Sequence, residues 1–174
     1  MPFFQNDLWQ NYSNTFPVLE GMHPFWSDYR IIYKSGLNEK ESGRIQDFDS
    51  LFFKDKNESI KWESSLSPEA MRAALFIMLY RDFPVFQTSY QVLDALIEID
   101  HELSNWRHKH MDMVRRMIGM RTGTGNTSGR GYLEGALNSH YIFKDIAGLS
   151  TFLIQRKKLP KLPEDLIKQL SYSN

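Results

Sequence analysis

The chain has 174 residues, with 21 Lys and Arg against 21 Asp and Glu, a length suited to one domain and a balance that creates no global field for nucleic acid or an anionic membrane surface. It contains no cysteine, which excludes disulfides and every thiolate-ligated site and fits a reducing, cytoplasmic setting. The start MPFFQNDLWQ carries Asp7 where a secretion signal needs a cationic segment and an apolar run, and the apolar run AALFIMLY, bracketed by Arg72 and Arg81, falls well short of the roughly 20 residues that cross a membrane.

In chain order, residues 1–35 gather Phe3, Phe4, Trp9, Tyr12, Phe16, Phe25, Trp26, Tyr29 and Tyr33, with Pro17, Gly21 and Pro24 breaking them into short helical pieces. They are expected to act as an aromatic-rich docking segment. Residues 36–66 mix charges with Phe48, Leu51, Phe52 and Phe53 and include KDKNES, so a loop-rich linker is expected. Ser67-Pro68-Glu69 opens a helix, because serine caps, proline suits the first turn and glutamate faces the positive end of the dipole. That helix is predicted to run to about Asp82, buried all round, and to end at Pro84.

From about Val85 to Gly119 no proline or glycine interrupts an amphipathic pattern. Val92, Leu96, Ile99, Leu103, Trp106, His110, Met113 and Met117 recur at spacings of three and four, which places them on one helical stripe and predicts that His110 faces inward. His101 and His108 fall elsewhere and are expected in solvent. Five of the ten glycines then crowd into GMRTGTGNTSGRG, residues 119–131, a loop with unusual backbone demands. A further helix is predicted from about Tyr132 through KDIAGLSTFLIQRKK, closed by Pro160 and Pro163 before a short terminal helix in PEDLIKQL. The expected class is all-α: one domain over 1–174, with a helical core in 67–174.

A histidine on an apolar stripe can be a satisfied core residue, a base or a haem ligand, and spacing alone favours the core. The cations Arg107, Lys109, Arg115, Arg116 and Arg121 nearby suit either a solvated face or the propionates of a porphyrin. The glycine-rich segment lacks a Gly-Lys-Ser/Thr ending and follows a helix, so it is no phosphate loop; Thr124 between Gly123 and Gly125 offers a hydroxyl and backbone N–H groups able to hold a carboxylate or ammonium. Glu98-x-x-His101 and Glu20-x-x-His23 each match half of a di-iron carboxylate site, without evident bridging glutamates.

Residues 106–133, WRHKHMDMVRRMIGMRTGTGNTSGRGYL, closely resemble the haem-ligand helix and following loop of the tryptophan 2,3-dioxygenase family, with its pattern WRxxHxxxVxRMIGxxxGTGGSSGxxYL. LSPEAMRAALFIMLYRDFPVFQTSYQVLDALIEID and FKDIAGLSTFLI resemble the flanking helices, and FFQNDLWQNY does so more weakly. The resemblance implies an all-α helical bundle of the haem-dependent indole/tryptophan dioxygenase type. It makes His110 the proximal ligand of haem b iron, Trp106 its neighbour, and Arg107 and Arg116 structural or haem-supporting. Thr124 and Gly125 would contact the ammonium and carboxylate of L-tryptophan. Asn126 and Thr127 depart from the usual Gly-Ser.

The HQxxELW helix with the distal histidine, and the arginine that clamps the substrate carboxylate, have no match here, so no catalytic residue is assigned. The expectation is therefore a half-enzyme of tryptophan catabolism in the kynurenine pathway, completed by an N-terminal-half partner or by homo-oligomeric, family-like homotetrameric assembly. A non-catalytic haem-binding or interaction protein and a haem-dependent aromatic amino acid hydroxylase are the alternatives.

Overall fold

A computed structural model describes residues 23–53, 66–118 and 141–171. Among them every regular element is helical and none is a strand. The elements are α1 (His23–Gly36), a 3-10 turn Glu39–Glu41, α2 (Arg44–Phe52), α3 (Pro68–Leu79), α4 (Pro84–Ile118), α5 (Lys144–Gly148), 3-10 turns Leu149–Phe152 and Arg156–Lys158, and α6 (Glu164–Leu170). Two compact units emerge, one within Met1–Leu93 and Asp145–Asn174, the other within Asp94–Lys144.

The first unit has an aromatic core. Phe25, Trp26, Tyr29 and Tyr33 follow helical spacing along α1 and are all buried, as are Phe48, Leu51 and Phe52 on α2. Phe48 is fully enclosed, its ring centroid 5.2 Å from Tyr33, 4.7 Å from Phe52 and 5.8 Å from Phe152; Trp26 stacks on Phe52 at 5.9 Å and 8°. Such contacts add to the hydrophobic gain from burying large rings. Two sequence expectations are corrected here. The described aromatics of residues 1–35 are core rather than docking surface, and Pro24 sits in the first turn of a 14-residue helix that it does not break. Within 36–66, residues 39–41 and 44–52 are helical rather than linker, because Asn38 and Glu41 make a reciprocal capping box on the 3-10 turn and α2 has an apolar face to bury. The KDKNES stretch, the segment 1–22 and the glycine-rich 119–131 lie outside the described residues.

α3 begins as its sequence dictates: the Ser67 hydroxyl accepts the Ala70 N–H at 3.2 Å and Pro68 opens the first turn. It is buried from Ala70 to Ile77 save for Arg72, whose guanidinium donates to the Phe52 carbonyl at the end of α2, 2.5 Å away. The helix stops at Leu79, three residues earlier than expected. Pro84 does not end it but opens α4, disfavouring a helical Phe83 and supplying a first-turn residue with no N–H to satisfy.

The predicted helix from Tyr132 to Lys158 is, in its described part, a five-residue helix followed by 3-10 turns and extended backbone at Leu153. Buried tyrosines hold this stretch. The Tyr29 hydroxyl donates to the Phe152 carbonyl at 2.6 Å and Tyr33 to Thr151 at 3.3 Å, engaging carbonyls that a continued helix would have used itself, and Tyr80 donates to Pro160 at 2.7 Å beyond the expected end of that helix. Burial pushes the Tyr29 and Tyr80 hydroxyls well above the ordinary tyrosine range.

Candidate functional site

α4 spans 35 residues and carries two apolar stripes. One runs through Phe86, Ser89, Leu93, Leu96, Asp100 and Met111, all buried, in steps of three and four with half-buried Ser104 and Arg107 filling the gap. The other contains Ile99, Trp106, Met113 and Met117, which are 48%, 61%, 49% and 77% exposed, together with exposed His110. The expectation that His110 faces inward is thus corrected. Met111, its neighbour about 100° around the helix, is the buried residue. The predicted stripe held apolar residues from both faces in its first turns and followed the uncovered face thereafter.

His110 and Trp106 sit one turn apart on that uncovered face, their rings stacked at 5.2 Å with only 12° between planes. The indole covers one face of the imidazole. No hydrogen bond engages either His110 nitrogen among the described residues. His108, by contrast, is exposed with Nδ1 2.8 Å from the Ser104 carbonyl, and His101 is exposed, as expected of both. Arg107 lies about 60° from His110 on the half-buried flank, and Arg116 about 120° away on the other. Arg116 is exposed and lines a hollow of about 330 Å³ with Lys109, Asp112, Met113 and Met117. Arg115 pairs with Asp112 at 3.7 Å, in solvent. Thr124 and Gly125 lie outside the described residues.

Sequence reasoning missed Asp100. Its carboxylate is 4% exposed; one oxygen accepts the Ile142 N–H at 2.9 Å and the other the Phe143 N–H at 2.6 Å. The signal was available as a carboxylate recurring in register with Phe86, Ser89, Leu93 and Leu96, a place where an acid survives only if hydrogen-bonded. Among the described residues no three His, Asp or Glu side chains come together as a metal cluster, and no helix is long and apolar enough to cross a membrane.

The described residues are all-α and present an imidazole, stacked on an indole, along an exposed apolar stripe. Comparison with known proteins makes the class specific. The tryptophan 2,3-dioxygenase family profile matches residues 34–153. The tryptophan 2,3-dioxygenase of Bdellovibrio bacteriovorus is 39% identical over 130 residues, 74% of this chain and 36% of its own. Tryptophan 2,3-dioxygenase B of Danio rerio is 40% identical over 138 residues, 78% of this chain and 34% of its own, and the Dictyostelium discoideum enzyme is 39% identical over 127 residues, 72% and 31%. The chain belongs to the tryptophan 2,3-dioxygenase family. It spans about a third of the length of the curated relatives it matches.

The residues present fit a haem: an imidazole nitrogen can ligate iron, exposed Met113 and Met117 would give soft apolar surface to a porphyrin, and Arg107 and Arg116 would bring positive charge to either flank for its carboxylates.

Proposed function

We propose that this chain forms one wall of a haem b pocket, in which His110 would hold the iron, in an enzyme that cleaves the indole C2–C3 bond of L-tryptophan. Both atoms of dioxygen enter the product, N-formylkynurenine, at the head of the kynurenine pathway of tryptophan catabolism. The observation that carries the reading is the His110–Trp106 stack on an exposed apolar stripe with Met113 and Met117, since exposed apolar patches of this kind mark binding sites.

When bound, haem b supplies redox-active iron for the activation of dioxygen. The chain's own residues orient and hold. Trp106 restricts rotation of the His110 ring, so that its coordinating edge keeps one direction. Arg107 and Arg116 serve the propionates through charge-assisted hydrogen bonds. The Thr124 hydroxyl and the Gly125 N–H hold the ammonium and carboxylate of the amino acid, keeping the indole in register for reaction. Residues of the distal side come from another segment or chain, through family-like homo-oligomeric assembly in the cytoplasm.

The test is haem titration of the wild-type chain and of His110→Ala, followed optically. Wild-type protein should give a bound Soret band, and His110→Ala should weaken haem binding and shift that band. An unchanged spectrum and affinity in His110→Ala overturns the assignment of His110 as the residue that would hold the iron. Formation of N-formylkynurenine from tryptophan, dioxygen and a reductant, with a matching N-terminal half present, tests the reaction.

A further inference from the structure

The first compact unit carries a hollow that the proposed haem site does not use. Tyr33, on the buried face of α1, donates its hydroxyl to the Thr151 carbonyl at 3.3 Å, which holds the 3-10 turn Leu149–Phe152 against the end of that helix. The backbone is then extended at Leu153 and Gln155 before it turns again at Arg156–Lys158. Between this stretch, the end of α1 and the 3-10 turn Glu39–Glu41 lies a hollow of about 210 Å³, room for about seven waters at their liquid volume.

Its walls divide by chemistry. Ile32, Leu37, Leu153 and Ile154 supply aliphatic surface. Arg44, Gln155 and Lys158 bring hydrogen-bond donors, and Glu41 brings the lining's carboxylate. That carboxylate is already engaged: one oxygen pairs with an Arg44 nitrogen at 3.0 Å and the other accepts the Asn38 N–H at 3.4 Å. Arg44 keeps further N–H groups for another acceptor. Among the described residues no hydrogen bond or ion pair engages the Lys158 ammonium or the Gln155 side chain, and the backbone N–H groups of Ile154 and Gln155 meet no carbonyl.

We propose that this hollow is a binding site for a small carboxylate with an apolar body, its charge held by Lys158 and the open edge of Arg44. A carboxylate gains charge-assisted hydrogen bonds from both cations, while an alkyl body covers the aliphatic wall. An amine of the same shape faces two cations and an acid whose oxygens are taken. All the lining residues belong to the first unit, so the site rests neither on His110 nor on the proposed dioxygenase activity.

The experiment titrates hexanoate into the isotope-labelled full chain and follows the backbone amide resonances of Leu37, Ile154, Gln155 and Lys158. Saturable shifts are expected at these amides, with a dissociation constant on the order of 1 mM for so small a ligand. Hexanamide, which keeps the shape and lacks the charge, should bind about tenfold more weakly, and so should acetate, which lacks the alkyl body. Lys158→Met keeps an apolar stem on an exposed turn and removes the charge. It should weaken hexanoate about tenfold and leave hexanamide unchanged, a difference that a merely structural role would not produce.

Absence of saturable shifts at hexanoate concentrations about tenfold above that constant overturns the site, as do shifts spread evenly over exposed lysines elsewhere. Equal affinity for hexanoate and hexanamide overturns the recognition of charge, and unchanged hexanoate affinity in Lys158→Met overturns the role of Lys158. Should that variant fail to fold, the comparison of hexanoate, hexanamide and acetate on the wild-type chain decides the proposal. A chain that takes up no haem would sink the proposed function and leave each of these outcomes in force.

Discussion

The aromatic core of α1 and α2 and the outer stripe of α4 are made of similar side chains and have opposite fates. Around Phe48, the rings of Tyr33, Phe52 and Phe152 have ring neighbours within about 6 Å and almost no exposure. Along Ile99, Trp106, Met113 and Met117 comparable apolar area faces water. Apolar residues inside a core need only physics to explain them; a row left outside at helical spacing needs an occupant. The first region stabilises the fold, and the second is where the proposed haem site lies.

That contrast can be broken by mutation. The largest effect is expected for Phe48→Ala, which leaves a ring-sized void among Tyr33, Phe52 and Phe152 and should lower unfolding free energy by about 3–5 kcal/mol in a denaturant titration; a loss below 1 kcal/mol would mean the core is not organised around this ring. Tyr29→Phe removes one buried hydroxyl from the Phe152 carbonyl and should cost about 1–1.5 kcal/mol at neutral pH. It also carries a pH signature. The folded-state Tyr29 holds its proton to higher pH than the unfolded chain does, so this contribution is complete below the ordinary tyrosine value near pH 10 and drains away as pH rises above it. Wild-type protein should therefore destabilise more steeply above about pH 10 than Tyr29→Phe.

Smaller again is Ser67→Ala, which deletes the cap on the Ala70 amide and should cost about 1 kcal/mol. Smallest on stability is Met117→Ser on the uncovered stripe, within about 0.5 kcal/mol by the same titration. Its haem affinity should nevertheless fall several-fold, and a Met117→Ser variant that destabilises strongly while binding haem normally would reverse the assignment of the two regions.

Much of this was legible in sequence. Ser67-Pro68-Glu69 specified the start of α3, and uninterrupted 3-4 spacing specified α4 to within a residue at each end, because caps and periodicity are local properties. What spacing could not supply was which of two adjacent apolar stripes would be covered, since covering depends on elements far away in the chain. His110 and Met111 differ by a single step, and periodicity alone assigned burial to the wrong one. The role suggested for His110 came from the WRxxH pattern, while Asp100 went unread because an acid in a helical run looks like solvated surface until its partners at Ile142 and Phe143 are seen. The aromatic run 25–33 was misjudged for the converse reason: exposed docking aromatics and core aromatics have the same composition.

The three tyrosines that grip residues 151, 152 and 160 do so through main-chain carbonyls. A carbonyl is the same in every amino acid, so the strap they hold is free to drift in sequence at Thr151 without losing its tether, while Tyr29, Tyr33 and Tyr80 are not. Among natural variants of this chain, substitutions should accumulate on one side of these bonds and be purged from the other, a one-sided tolerance that a side-chain-to-side-chain contact would never permit.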